Sequence, residues 1–190
     1  MKVIDTNLAD VKIIEPRIFG DSRGYFFESW NSAKYAEPGI NCNWVQDNES
    51  CSSYGVLRGL HYQAVPYTQA KLVRVITGRV LDVAVDIRKG SPTFGQYAAV
   101  ELSGENKRQL FVPRGFAHGF AVLSETAVFA YKCDNVYCPA AERGIAFNDP
   151  ALNIDWQIDL NKALLSDKDM KNPLLKDAEL FDYKSGEYLQ

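Results

Sequence analysis

The chain contains only two histidines, His61 and His118, and both stand where a side chain could move a proton or bind a metal. His61 lies in Gly55-Val56-Leu57-Arg58-Gly59-Leu60-His61-Tyr62-Gln63, where a strand's period puts His61 and Gln63 on one face. His118 closes Pro113-Arg114-Gly115-Phe116-Ala117-His118, a tight turn feeding a strand. An imidazole has an ordinary pKa of about 6.5, so His61 suits a Brønsted base near neutrality. Such a base needs a carboxylate on its far ring nitrogen to fix the tautomer and stabilise the imidazolium. No neighbour in the chain supplies one. Lys71 opens Lys71-Leu72-Val73-Arg74-Val75, where an inward ammonium would cost much unless it met an anion. Tyr131 shares strand parity with Phe129 and by itself reads as a core aromatic with a satisfied hydroxyl. Arg23, in the turn Gly20-Asp21-Ser22-Arg23-Gly24-Tyr25, and Arg58 together suit a diphosphate, because guanidinium groups bind its oxygens bidentately. There is no Walker loop, no dinucleotide fingerprint and no Gly-x-Ser-x-Gly elbow, so a nucleotide would be held by side chains and stacking.

Strands must position these groups. Arg79 to Ile87 alternates, with Leu81, Val83, Val85 and Ile87 on one face and Asp82, Ala84 and Asp86 on the other, the period of a half-buried strand. Similar runs occur at Val11 to Glu15, Tyr25 to Trp30, Trp44 to Glu49, Lys71 to Ile76, Tyr97 to Leu102, Gln109 to Val112, His118 to Leu123 and Val128 to Cys133. Turn signals such as Thr77-Gly78, Lys89-Gly90-Ser91-Pro92 and Ser103-Gly104 separate them. The expected fold is all-β, a jelly-roll barrel or sandwich. After Asn148 the alternation weakens, and Leu164 to Met170 predicts about two helical turns capped by Ser166. One domain over 1–190 is expected, with the tail from about 150 packed on the barrel.

The 190 residues are 46% hydrophobic and 24% charged, ordinary globular usage, and a net charge of −3 argues against a nucleic-acid groove. The four cysteines form no CxxC pair, which suits reduced thiols. Neither a signal peptide nor an apolar stretch long enough to span a bilayer is seen, so a cytoplasmic protein without membrane contact is expected.

The His61 and His118 segments together resemble the paired signature segments of cupins. Metal-binding cupins place two histidines and a glutamate in the first segment. Here Gln63 takes the second histidine's place and no glutamate follows at the expected distance. Two imidazoles and an amide make a poor first-row metal site, so no catalytic metal is expected.

With these residues assembled, the chain resembles the dTDP-4-dehydrorhamnose 3,5-epimerase family as far as about Pro173. The segments that carry the likeness are Asp21 to Glu28, Val45 to Asn48, Leu57 to Gln63, Lys71 to Arg74, Pro113 to Phe120, Tyr131-Lys132 and Leu165 to Asp169. The resemblance implies a cupin-type jelly roll acting, as a homodimer, on C3 and C5 of dTDP-4-dehydro-6-deoxy-D-glucose, a step toward dTDP-L-rhamnose, with no cofactor expected because the substrate's own carbonyl is the electron sink. It implies Asp169 as the partner of His61, Lys71 at the enolate, Tyr131 as the opposing acid, and His118 in the sugar and phosphate pocket, which reverses the plain reading of Tyr131. By the same likeness Arg23, Phe26, Glu28, Gln46, Asn48 and Arg58 contact the nucleotide diphosphate and Tyr137 walls the site, some of them across the dimer interface. Val136 departs from the family pattern, which leads one to expect an aromatic beside Tyr137. The alternatives are inversion at a single carbon, a metal-dependent cupin and a non-catalytic sugar-nucleotide binding module.

Overall fold

The computed structural model describes residues 1–189. Six strands form one antiparallel sheet in the order β1-β2-β11-β7-β13-β5. These are β1 (Lys2–Asp5), β2 (Lys12–Glu15), β11 (Gln109–Val112), β7 (Lys71–Thr77), β13 (Thr126–Cys133) and β5 (Gln46–Ser53). A second sheet runs β10-β8-β12-β6-β14, made of β10 (Tyr97–Ser103), β8 (Arg79–Asp86), β12 (Phe116–Val122), β6 (Leu57–Gln63) and β14 (Glu142–Gly144). An arm of β3 (Ile18–Asp21) and β4 (Gly24–Phe27) stands apart from both, and a short α1 (Ser32–Ala36) follows it. Near the C-terminus β15 (Phe181–Asp182) pairs in parallel with β9 (Arg88–Lys89). The two facing sheets make a cupin-type jelly roll.

Each sheet is apolar on both faces. Between the sheets lie Val73, Val75, Leu110 and Phe129 from the first and Val80, Ala84, Val100, Phe116 and Phe120 from the second. The outer face of the five-stranded sheet, with Leu60, Leu81, Val83, Val85 and Ile87, is covered by Ile145, Leu152, Ile154, Trp156, Leu175, Phe181 and Tyr188. The outer face of the six-stranded sheet carries Ile14, Leu72 and Phe111 under Tyr35 and Ile40, with Trp30 and Trp44 against them.

That layering corrects two expectations. Strand β8 alternates as predicted but is buried on both faces, and Asp82 and Asp86 are both 0% exposed. One face looks into the sandwich and the other is roofed by the C-terminal segment, which alternation within the strand cannot reveal. The two-turn helix at Leu164 to Met170 is absent. Only a single 3-10 turn, Asp169–Lys171, forms there, because the segment is anchored by bonds to neighbours instead of a helical ladder. Leu164 O accepts from Leu57 N at 3.1 Å, and Leu164 N donates to Gly55 O at 2.9 Å. No helix among the described residues is long and apolar enough to cross a membrane.

The strands that bear the two histidines, β6 and β12, approach closely at Gly59. Its φ of +139° lies where glycine is favoured, and a Cβ there would sit 2.6 Å from Gly119 Cα. Just past the end of β8, Arg88 clasps the tail. Its guanidinium donates to Asp86 at 2.9 and 2.7 Å and to Asp10 at 2.8 Å, and lies over the rings of Phe116, Tyr183 and Tyr188. Phe181 meets Tyr62 edge-on at 5.6 Å, and Tyr62 donates its hydroxyl to Glu179 O. Phe181→Ala should therefore lower unfolding free energy by about 3–5 kcal/mol. Urea denaturation checks this, with the loss in the midpoint and the slope unchanged.

Candidate active site

Strand parity gathers the ionisable groups at one end of the space between the sheets. His61 on β6 and His118 on β12 are cross-strand partners in the five-stranded sheet. From the opposing sheet come Lys71, the first residue of β7, and Tyr131 and Cys133 on β13, with Cys133 directly opposite Lys71. A cavity of about 290 Å³ is lined by His61, Lys71, Tyr131, Gln46, Asn48 and Tyr137, together with Gln63, Cys133 and Glu142. His118 lies in a smaller recess that it shares with His61 and Lys71.

His61 Nε2–H donates to Asp169 Oδ1 at 2.5 Å. A carboxylate only accepts, so the neutral imidazole keeps its lone pair on the other ring nitrogen. The His61 side chain is 36% exposed and that of Asp169 4%. Burial pushes the Asp169 carboxyl up, but hydrogen bonds from His61 and Ser166 outweigh it and leave the carboxyl below its ordinary value. Ser166 is the local organiser, donating its hydroxyl to Asp169 Oδ2 at 2.8 Å and accepting Asp169 N–H at 3.2 Å. Gly144, which pairs with His61, leaves the space for this turn, since a Cβ there would lie 2.5 Å from the Asn172 amide.

A second histidine–carboxylate pair lies deeper. His118 Nε2 is 3.0 and 3.1 Å from the two oxygens of Asp82. Burial pushes the Lys71 ammonium down, while the acidic groups Cys133 and Asp82 act in the opposite direction. Burial and Cys133 push the Tyr131 phenol up and Arg58 pulls it partly back, so Tyr131 holds its proton at neutral pH. The Cys133 thiol is pushed up to about 11, mainly by burial. The Tyr131 ring packs on Phe129, with centroids 6.0 Å apart, and Lys71 Nζ lies 5.9 Å from its centroid. Its ring belongs to the core while its edge lines the cavity, so parity with Phe129 described half of its surroundings.

The other residues singled out in the sequence divide into two sets. Gln46 and Asn48 line the cavity, bonded to each other at 3.0 Å, and Gln46 Oε1 accepts Tyr137 N–H at 2.9 Å. Arg58 donates to Ser52 Oγ at 3.2 and 3.1 Å. Arg23, Phe26 and Glu28 do not line this cavity in their own chain. Arg23 pairs with Asp21 at 2.6 Å, Glu28 pairs with Lys34 at 2.8 Å, and Phe26 is 69% exposed on the arm. Val136, beside Tyr137, is exposed. Three residues escaped the sequence reading. Asp82 hid as the polar face of a strand taken as half-buried. Glu142 accepts Tyr137 Oη–H at 3.1 Å and Lys168 Nζ–H at 2.7 Å, but neither Glu142 nor Lys168 carries a local pattern. Among the described residues no group of three or more His, Cys, Asp or Glu side chains is gathered as a metal site would need.

The geometry offers a carboxylate-backed imidazole on one sheet and a protonated phenol on the other, with the Lys71 amine on the same cavity. Comparison with known proteins gives it a family. Residues 5–177 match the family model described as dTDP-4-dehydrorhamnose 3,5-epimerase. A dTDP-4-dehydrorhamnose 3,5-epimerase of Shigella flexneri is 54% identical over 95% of this chain and 99% of its own length. The crystal structure of a dTDP-6-deoxy-D-glucose-3,5-epimerase from Legionella pneumophila, in complex with dTDP-4-keto-L-rhamnose, is 53% identical, with a TM-score of 0.92 over 96% of this chain and 98% of that one. A 3'-monoepimerase from Streptomyces bikiniensis, in complex with dTDP-quinovose, is 32% identical with a TM-score of 0.88 over 100% of both chains. With a family model spanning most of its length and relatives above half identity, the chain belongs to the dTDP-4-dehydrorhamnose 3,5-epimerase family.

Proposed function

We propose that this chain inverts C3 and C5 of dTDP-4-dehydro-6-deoxy-D-glucose, giving dTDP-4-dehydro-L-rhamnose in the cytoplasm as a step toward dTDP-L-rhamnose. The observation that carries the reading is the opposition of His61, backed by Asp169 at 2.5 Å, to Tyr131 on the facing sheet. Inversion needs a proton to leave one face of a carbon and another to arrive on the opposite face, and one base on one sheet cannot do both.

The ketone at C4 acidifies the hydrogens on C3 and C5. His61 removes one of them, the C–H electron pair moves into the ring, and the negative charge collects on the C4 oxygen. Asp169 stabilises the imidazolium that results. The Lys71 ammonium donates to the enolate oxygen, an interaction of the kind worth about 2.7–4 kcal/mol at a preorganised oxyanion. Tyr131 then delivers its proton to the opposite face of the same carbon. Both carbons flank one carbonyl, so one set of residues serves each in turn, once the imidazolium has given its proton to water and the Tyr131 phenolate has taken one back. His118, with Asp82, and the polar Gln46 and Asn48 hold the sugar and phosphates, and Tyr137 stands as a wall beside the nucleotide.

Arg23, Phe26 and Glu28 fit this reading if the chain acts as a homodimer. The arm exposes Ile18, Phe19, Tyr25 and Phe26, a cluster of large apolar side chains of the kind that marks an interface. We place it over the partner's cavity, where Arg23 meets the diphosphate and Arg58 of the other subunit supplies a second guanidinium.

Turnover of the thymidine-linked 4-keto sugar in D₂O, followed by NMR, tests the reaction. Deuterium at both C3 and C5 with inverted configuration is expected. Label at C3 alone would replace the double inversion by the single-carbon chemistry named for the Streptomyces bikiniensis relative. His61→Ala should lower kcat by roughly 10²–10⁴-fold while dTDP affinity stays within a few-fold. Tyr131→Phe should keep solvent exchange at C3 and lose inversion, so that label enters with retention. Subunit sharing has its own test. His61→Ala and Arg23→Ala chains, each inactive alone at low substrate, should regain about a quarter of wild-type activity when mixed and reassembled, since each hybrid C2 dimer holds one intact site. Mixtures that stay inactive would place the arm over its own chain's cavity.

A further inference from the structure

Gln63 occupies the place that a metal-binding cupin gives to its second histidine, yet its amide is wholly engaged elsewhere. Nε2 donates one hydrogen to Tyr67 O at 2.7 Å and another to Val136 O at 3.1 Å, and Oε1 accepts Cys138 N–H at 2.7 Å. A side-chain amide has two donor hydrogens and one acceptor oxygen. Every polar function of this residue, which is only 4% exposed, is therefore spent on main chain. Two of the three bonds bracket Tyr137. The third joins the turn after β6, where Asn135 Nδ2 donates to Pro66 O at 3.1 Å and Gln69 Nε2 donates to Asn135 O at 2.7 Å.

We propose that Gln63 is a positioning residue that sets nucleotide affinity. It clamps the 135–138 loop to the strand of the base, so that Tyr137 stands over the cavity at a set distance from His61. It takes no part in proton transfer. The inference rests on the reading of Tyr137 as a wall of the nucleotide site.

The physical case is one of geometry and satisfaction. His61 and Gln63 lie on the same face of β6, so a loop bonded to Gln63 is held in register with the imidazole two residues away. Tyr137 itself is tied at its N–H by Gln46 and at its hydroxyl by Glu142, so both ends of the residue depend on where the loop lies. Without the amide, Cys138 N–H and two carbonyls lose their partners, and the loop must move toward water to recover them. A histidine cannot replace this amide, because an imidazole has two nitrogens and no geometry for two donors and an acceptor on three main-chain groups. A metal ligand and a loop clamp are thus mutually exclusive at this position.

Two variants test the clamp. Gln63→Glu keeps size and an acceptor for Cys138 N–H but turns a carboxylate oxygen on two carbonyls, and Gln63→Leu removes all three bonds. In the folded dimer, checked by circular dichroism, the Kd for dTDP and the KM for the 4-keto sugar should rise at least about tenfold, with kcat at saturation within about threefold of wild type. Amide exchange should quicken at Tyr137 and Cys138 while the middle of β6 stays protected. Tyr137→Ala is the reference and should weaken dTDP binding by itself. Adding Gln63→Glu to it should cost little more, because both act through one ring. A fall in kcat at unchanged KM, or unchanged dTDP affinity in folded Gln63→Glu while Tyr137→Ala loses it, would overturn the clamp. If Tyr137→Ala binds dTDP as tightly as wild type, the reading of Tyr137 falls and the clamp's role in affinity with it.

Discussion

The hydrogen bond from His61 to Asp169 joins groups 108 residues apart, and much of the molecule is arranged so that it can exist. A carboxylate that is 4% exposed has to be compensated, and Asp169 is compensated by the imidazole and by Ser166. To stand there it needs the C-terminal segment to turn back along the five-stranded sheet. Burial drives that return. Leu152, Ile154, Trp156, Leu175, Phe181 and Tyr188 cover a sheet face that would otherwise expose Leu81, Val83, Val85 and Ile87 to water. The segment that covers the sheet is thus the one that brings Asp169 to His61.

The sandwich also explains why inversion chemistry sits comfortably in this fold. Facing sheets pack about 10 Å apart, so side chains that point inward from each can meet a sugar ring from opposite sides. Phe120 and Phe129 stack at 4.2 Å beneath the site, and Phe129 also packs on His118 at 6.3 Å and Tyr131 at 6.0 Å. This aromatic layer marks where the apolar filling stops and the polar cavity begins. Above it the interior is polar, with Asp82 hydrogen-bonded to His118 and near enough to act on Lys71. Burial lowers the pKa of the Lys71 ammonium from its ordinary value, and the nearby carboxylate of Asp82 acts in the opposite direction.

Gln63 shows the same economy at the level of one residue. It stands on the inward face beside His61, where a ligand could serve, and its amide instead holds the loop that carries Tyr137. The absence of a second imidazole there is matched by a positive use of the position.

Most of the strands and turns, the shared face of His61 and Gln63 and the jelly-roll class were legible in the residues, because alternation and turn chemistry act over a few positions. Resemblance to a family extended this to Asp169 and Tyr131, which local pattern could not reach. What remained hidden is what depends on the second layer. The burial of β8 on both faces, the buried Asp82 behind His118, the meeting of Tyr137, Glu142 and Lys168, and the loss of the helix expected at Leu164 to Met170 all arise from contacts between segments far apart in the chain. By itself the sequence determined which faces of which strands are apolar and where the chain turns, since those are properties of near neighbours. Only the tertiary structure decided what covers each face, which carboxylate meets which histidine, and that the arm bearing Arg23 lies away from its own cavity, because those outcomes are set by packing that no local window contains.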